Sequence, residues 1–163
     1  MAIEFLRIDD RIIHGQVVTR WAMEYPCDGI IAINDKAASD KLIKSVLKAA
    51  SEKKTFIFTF QQFEEKKQKM IDSEKKYFLI TKNPIDMAKI LVDYDMTVNT
   101  DLVNVGPQSA RENTTTVNKN ADITAEEALA YEKIYNKGYK IDFRLVPDEK
   151  SVLWKNVREK FIK

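Results

Sequence analysis

The sequence predicts an α/β fold: a mostly parallel six-stranded sheet with helices on both faces. Three observations predict it. Strand-like and helix-like patterns alternate six times along the chain. That order builds parallel sheets, because each helix carries the chain back to the edge where the next strand starts. Strand segments such as Ile30-Ile-Ala-Ile are continuous apolar runs, which suits strands covered on both faces. No repeat, low-complexity run or linker interrupts the 163 residues, so residues 1–163 read as one domain.

Taken in order, residues 2–8 (Ala-Ile-Glu-Phe-Leu-Arg-Ile) form the first strand. A turn over 9–15 leads into a helix over 16–24, where Val17, Val18 and Trp21 share one face at helical spacing. Pro26 stops that helix, and Asp28-Gly29 turns the chain into the second strand, residues 30–34. Residues 35–39 read as a loop. Ser39 or Asp40 then caps a helix to about Ala50, with Leu42, Val46, Leu47 and Ala50 inward.

Residues 55–60 form the third strand, and 62–72 a charged helix anchored by Phe63, Met70 and Ile71. The fourth strand is 77–81, and Pro84 suits the first turn of a helix over 85–94. The fifth, 102–105, runs into Gly106-Pro107. Residues 108–121 are polar, with Val117 their one large apolar side chain, and read as an excursion with room for a short hairpin. Thr124-Ala-Glu-Glu127 is a capping box opening a helix to about Asn136, and Gly138 fits its C-terminal cap. Residues 139–146 form the sixth strand. A final helix over 148–161 puts Val152, Leu153, Val157 and Phe161 on one side.

Composition excludes several classes. The net charge of +2 gives no global basic field for nucleic acid. No apolar run approaches the roughly 20 residues that span a bilayer. Glu4, Arg7, Asp9 and Asp10 break the amino-terminal stretch where a signal peptide needs an uninterrupted apolar segment. The expectation is a cytosolic protein. Cys27 is the single cysteine, with no partner for a disulfide or a zinc site, and reads as a small buried hydrophobe.

The informative stretch is Arg7-Ile-Asp-Asp-Arg-Ile-Ile-His14-Gly-Gln-Val-Val-Thr-Arg-Trp21, which holds the only histidine. It leaves the first strand at its carboxyl end, where parallel sheets bind ligands. Gly15 permits close backbone approach. The free amides of the helix beginning near Gln16 and its dipole favour an anion. Arg11 and Arg7 supply guanidinium groups suited to phosphate oxygens, although strand alternation points Arg7 away. Phosphoryl transfer asks a protein chiefly for such positioning and charge neutralisation. The nucleophile is an imidazole nitrogen, and its other nitrogen needs a partner that sets the tautomer. Asp9 and Asp10 are the candidates for that partner, with turn capping as the competing role. Thr81 and Lys82 leave the fourth strand at the same edge, either supporting the anion site or serving as a helix cap and a solvated lysine.

No GxxxxGK[ST] loop, GxGxxG after the first strand, second histidine or GxSxG elbow occurs. No metal site is expected.

The same stretch closely resembles the active-site segment of the mannose/fructose/sorbose-family IIB subunits of the bacterial phosphoenolpyruvate-dependent sugar phosphotransferase system (PTS). The likeness continues through Ile30-Ile-Ala-Ile-Asn-Asp35, Lys82-Asn-Pro84, Asn104-Val-Gly106 and Arg144-Leu-Val-Pro147, spanning essentially the whole chain. The resemblance implies a three-layer α/β/α sandwich. It implies that His14 accepts phosphate on Nδ1 from a IIA phosphohistidine, with Arg11 and loop amides such as those of Gly15 and Gln16 as the cradle. The phosphate then passes to a sugar held by the membrane subunits IIC and IID, carried covalently without a cofactor. It also implies a cytoplasmic chain associated peripherally with that transporter. One departure stands out. Where the family usually reads Asn-Val-Gly-Gly-Met, this chain has Asn104-Val-Gly-Pro-Gln108, and proline removes an amide from that loop. Asn113 stands where relatives often have glycine, and asparagine still reaches the left-handed region.

Two other readings compete. A receiver domain would use Asp9-Asp10 as its acidic pair but needs an aspartate after the third strand, where this chain has Thr59-Phe-Gln61. A non-catalytic small-ligand module would use His14 only as a hydrogen-bonding group.

Overall fold

The chain lays down β1 (Ile3–Ile8), α1 (Gly15–Glu24), β2 (Gly29–Ile33), two short helices α2 (Asp35–Ser39) and α3 (Lys41–Ala49), β3 (Lys54–Phe58), α4 (Phe60–Asp72) and β4 (Tyr77–Thr81). It continues with α5 (Pro84–Ala88), β5 (Leu102–Val105), a hairpin of β6 (Thr115–Asn118) and β7 (Ala121–Ile123), α6 (Ala125–Asn136), β8 (Lys140–Phe143), β9 (Val152–Leu153) and α7 (Trp154–Val157). The computed structural model describes residues 2–162. The sheet order is β3-β2-β4-β1-β5-β8-β9. The first six of these strands pair in parallel and β9 pairs antiparallel to β8.

Two apolar cores cover the two faces and make the three-layer α/β/α sandwich. Phe5, Ile30, Ala32, Ile57, Phe78 and Ile80 pack against Val17, Val18 and Trp21 of α1 and Leu47 of α3. Leu6, Ile8, Ile31, Ile33, Leu79, Val103 and Val105 pack on the other side against α4, α5 and α6 through Phe63, Met87 and Tyr131. Alternation along each strand produces this division. It also places Arg7 on the α1 side with Phe5, two residues earlier in the same strand.

From β1 the chain turns toward β2 over one face. From β5 it turns toward β8 over the other, through α6. The carboxyl ends of β1 and β5 therefore flank a topological switch point, the place where such sheets open a crevice. The loop of the His14 motif begins there.

The structure differs from the sequence expectation in several elements. The sheet has seven strands, not six, because Val152 and Leu153 pair with Phe143 and Asp142. The expected helix over 148–161 is therefore this short strand, then α7 and a 3-10 turn over Arg158–Lys160. Its apolar spacing fits a helix locally, but pairing covers an otherwise open edge of β8. The sixth strand stops at Phe143, and residues 144–147 cross the end of the sheet.

On α3 the inward side is Ile43, Leu47 and Ala50, whereas Leu42 and Val46 are 74% and 60% exposed. Residues 35–39 form a helix, not a loop, because the Asn34 side chain accepts from the Ala37 amide, and Asp40 rather than Ser39 caps α3. α4 starts earlier than expected, since Thr59 and Gln62 form a reciprocal capping box. The helix over 85–94 becomes a π turn at Lys89–Asp93. The Thr124 capping box, the Gly138 cap with φ of 116° and the left-handed Asn113 match expectation.

Candidate functional site

β1 ends at Ile8, and the next six residues are pinned on both sides. The Asp9 amide donates to the Thr81 carbonyl of β4 (3.0 Å), and the Asp10 amide to the Pro107 carbonyl beyond β5 (3.0 Å). Within the loop, Asp9 Oδ1 accepts from the Arg11 amide at 2.9 Å, and the Asp9 carbonyl accepts from the Ile12 amide at 2.8 Å. Ile12 has φ of 64°, the left-handed region that a β-branched residue enters only when its surroundings impose it. Ile12 and Ile13 are both buried in the core beneath α1, and burying two isoleucines holds that strained turn.

His14 occupies the N-cap position of α1, and its side chain caps nothing. Its carbonyl accepts the first helical hydrogen bond from the Val18 amide at 2.9 Å. The amides of Gly15, Gln16 and Val17 thus precede the helical ladder, and with the helix dipole they form an anion-binding end. The imidazole is half-buried, and its Nδ1 is enclosed without a hydrogen-bond partner. Arg11 is exposed, and its guanidinium joins no ion pair among the described residues. Gln16, two residues after His14, is exposed.

The acids do not contact the imidazole. Asp9 is spent on Arg7 and the Arg11 amide, and Asp10 Oδ2 accepts from the Ser109 amide (2.7 Å) and hydroxyl (2.6 Å). Of the two roles open to these acids, Asp9 takes turn capping through the Arg11 amide, Asp10 ties the loop to Ser109, and neither bonds to His14 in this structure. Gly15 is also needed for a different reason: a Cβ there would stand 2.0 Å from the Ala50 carbonyl oxygen, so the glycine lets α1 abut the end of α3. Thr81 is fully buried and donates to the Asn83 carbonyl, Asn83 caps α5, and Lys82 is exposed. Lys82, Asn83, Asp10, Gln108, Ser109 and Arg111 line an open cavity of about 520 Å³ on the Asp10 side of the loop.

Arg7 lies inside the protein rather than in the phosphate cradle. Its Nη2 and Nε donate to Asp9 Oδ2 at 3.0 and 3.3 Å, and its Nη1 donates to Asn104 Oδ1 and, at 3.3 Å, to the Leu145 carbonyl. Burial raises the Asp9 carboxyl above its ordinary value, opposed by the charge of Arg7; burial likewise lowers Arg7. The Leu145 carbonyl also takes the Trp21 indole N–H at 2.9 Å, and the Arg144 guanidinium lies over the Trp21 ring at 5.3 Å. Asn104, Ser109 and the Leu145 carbonyl are not among the residues the sequence singles out as a site. The available signal was Asn104, a polar residue in the middle of an apolar strand.

Residues 3–162 match the family described as PTS system sorbose subfamily IIB component. The chain belongs to that family. Among relatives of this IIB component, the PTS system fructose-specific EIIB component of Bacillus subtilis (strain 168) is 29% identical over 153 residues, covering 93% of this chain and 92% of its own. The PTS system mannose-specific EIIAB component of Escherichia coli (strain K12) is 30% identical over 151 residues, covering 90% of this chain and 45% of its own. The solved structure of manxB from Thermoanaerobacter tengcongensis superposes with a TM-score of 0.86 at 27% identity, covering 99% of this chain and 97% of that one. The α/β sandwich with its central parallel sheet is thus the architecture of PTS IIB structures.

Proposed function

We propose that this IIB component carries a phosphoryl group on His14, received from a IIA phosphohistidine and passed to a sugar held by IIC and IID. The observation that supports it best is His14 itself, whose Nδ1 has no partner at the open amino end of α1. An imidazole nitrogen left without a partner at a helix N-terminus is a candidate nucleophile beside an anion-binding site. The Gly15, Gln16 and Val17 amides and the unpaired Arg11 guanidinium supply donors for the phosphoryl oxygens.

The step is symmetrical. The donor P–N bond breaks as the His14 N–P bond forms, and a phosphoimidazolium and a neutral imidazole exchange roles without net proton release. Because Nδ1 is enclosed in the unphosphorylated chain, loading it requires the ring to turn or the loop to open. Onward transfer breaks the His14 N–P bond as the sugar O–P bond forms; His14 leaves as a neutral imidazole and the hydroxyl proton passes to water. Phosphate held on nitrogen keeps its transfer potential, and the carrier works with neither metal nor nucleotide. Among the described residues no helix is long and apolar enough to cross a membrane. On this reading the carrier docks on the membrane subunits from the cytoplasmic side.

The test is incubation with phosphoenolpyruvate, the general phosphotransferases and a IIA protein. The chain should gain one acid-labile, base-stable phosphate, assigned to Nδ1 by phosphorus and nitrogen NMR, and His14→Ala should abolish it. Label surviving in His14→Ala would overturn the reading, and label on aspartate would favour a receiver.

A further inference from the structure

We propose that Arg7 is a positioning residue for phosphoryl transfer, acting through Asp9 on the loop that carries His14, and that Asn104, Gly106 and the Leu145 carbonyl are its socket. This rests on the phosphoryl-carrier reading above. It gives a role to two segments whose chemistry that reading leaves unused, Asn104-Val-Gly106 and Arg144-Leu-Val-Pro147.

The geometry carries the inference in three steps. Arg7 and Asp9 are 1% and 0% exposed, and every guanidinium nitrogen of Arg7 donates to a fixed acceptor. The two oxygens of Asp9 then face opposite ways: Oδ2 toward Arg7, Oδ1 toward the Arg11 amide at 2.9 Å. Arg7 therefore sets the rotation of the Asp9 carboxylate. That rotation sets the path of the chain through Arg11 and the left-handed Ile12 to His14.

The socket is built for this side chain. A Cβ on Gly106 would lie 2.2 Å from Arg7 Nη2 and 3.2 Å from Asp9 Oδ2, so glycine is required there by the guanidinium itself. Asn104 is fully buried. Its Oδ1 accepts from Arg7, while its Nδ2 donates to the carbonyls of Arg144 (2.8 Å) and Asp142 (3.4 Å). The amide is thus oriented by β8 and the following turn, with its oxygen aimed at Arg7.

A buried ion pair is a poor stability device compared with apolar residues of similar volume. Its directional hydrogen bonds are what an apolar pair cannot supply. A lysine at position 7 would offer one compact ammonium in place of a planar fork and could not hold Asp9, Asn104 and the Leu145 carbonyl together.

The experiment compares Arg7→Lys and Gly106→Ala with the unaltered chain. Phosphoryl transfer from phosphorylated IIA is followed by rapid quench, and circular dichroism and amide NMR check the fold. Both variants should stay folded, shift the amide resonances of residues 11–17, and lose about 10- to 100-fold in kcat, the cost of a small misplacement remote from the chemistry. The KM for IIA should hardly move, since neither residue is on the surface. An unchanged kcat in the folded variants would overturn the proposal, and so would a change confined to KM. Should the unaltered chain itself take no phosphate on His14, the carrier reading fails on its own. The amide resonances then decide whether Arg7 sets the loop, and unmoved resonances would count against it.

Discussion

Two guanidinium–carboxylate pairs in this chain look alike on paper and differ in what surrounds them. Arg7 and Asp9 have side-chain exposures of 1% and 0%, whereas Arg158 and Glu132 have 32% and 11%. The inner pair draws partners from β1, β5 and the turn after β8. The outer pair, with the Trp154 indole donating to Glu132 Oε1 at 3.0 Å, fastens the carboxyl-terminal turns to α6. Their acids shift in opposite directions. Burial raises Asp9, whereas hydrogen bonding from Arg158 holds Glu132 below the usual carboxylate range. In the interior desolvation outweighs the partner's charge; near the surface the partner wins. The same two residue types therefore make an orienting device in one place and a clasp in the other.

That contrast can be broken in order of expected effect. Arg7→Met leaves a buried carboxylate without its cation and should cost about 3–5 kcal/mol in urea denaturation. Combining it with Asp9→Leu should restore most of that stability while phosphoryl transfer stays slow. A double variant as unstable as the single one would make the pair a stability element, not an orienting one.

Glu132→Gln should have a smaller effect and one that depends on pH. A carboxyl lowered on folding contributes stability above its unfolded value of about 4.3, and that contribution is lost as pH falls through the lower folded value. Melting temperatures of the unaltered chain and Glu132→Gln should therefore differ at neutral pH and converge below about pH 4. A gap that stays constant to lower pH would remove Glu132 from that role. Arg11→Ala should be the mildest for stability, within about 0.5 kcal/mol as for an unpaired surface residue. It should nevertheless slow phosphorylation of His14, and an unchanged rate would remove Arg11 from the cradle.

The N-terminal motif was more legible than the C-terminal tail for a related reason. His14 follows a strand and opens a helix, so its place at the sheet edge is a local property of residues 3–24. The tail carries Val152, Leu153, Val157 and Phe161 at helical spacing, and that pattern held no information about the free edge of β8 that Val152 and Leu153 pair with. On α3 a one-residue shift in the inward face left Leu42 and Val46 outside. The apolar positions 42, 43, 46 and 47 fit either side of a helix, and packing on β2 and β3 chose.

What the sequence determined by itself is what neighbouring residues settle among themselves. The parallel order of six strands follows from alternation, the start of α6 from the Thr124 capping box, and the end of α6 from Gly138. What only the tertiary structure decided is what distant residues do for one another. The Asn104 and Leu145 acceptors of Arg7 lie 97 and 138 positions away. Gly15 is required by the Ala50 carbonyl, and Gly106 by the Arg7 side chain. Propensity and periodicity act over a few residues. The burial of a charge is decided by whether strands far apart in sequence bring enough acceptors to one point.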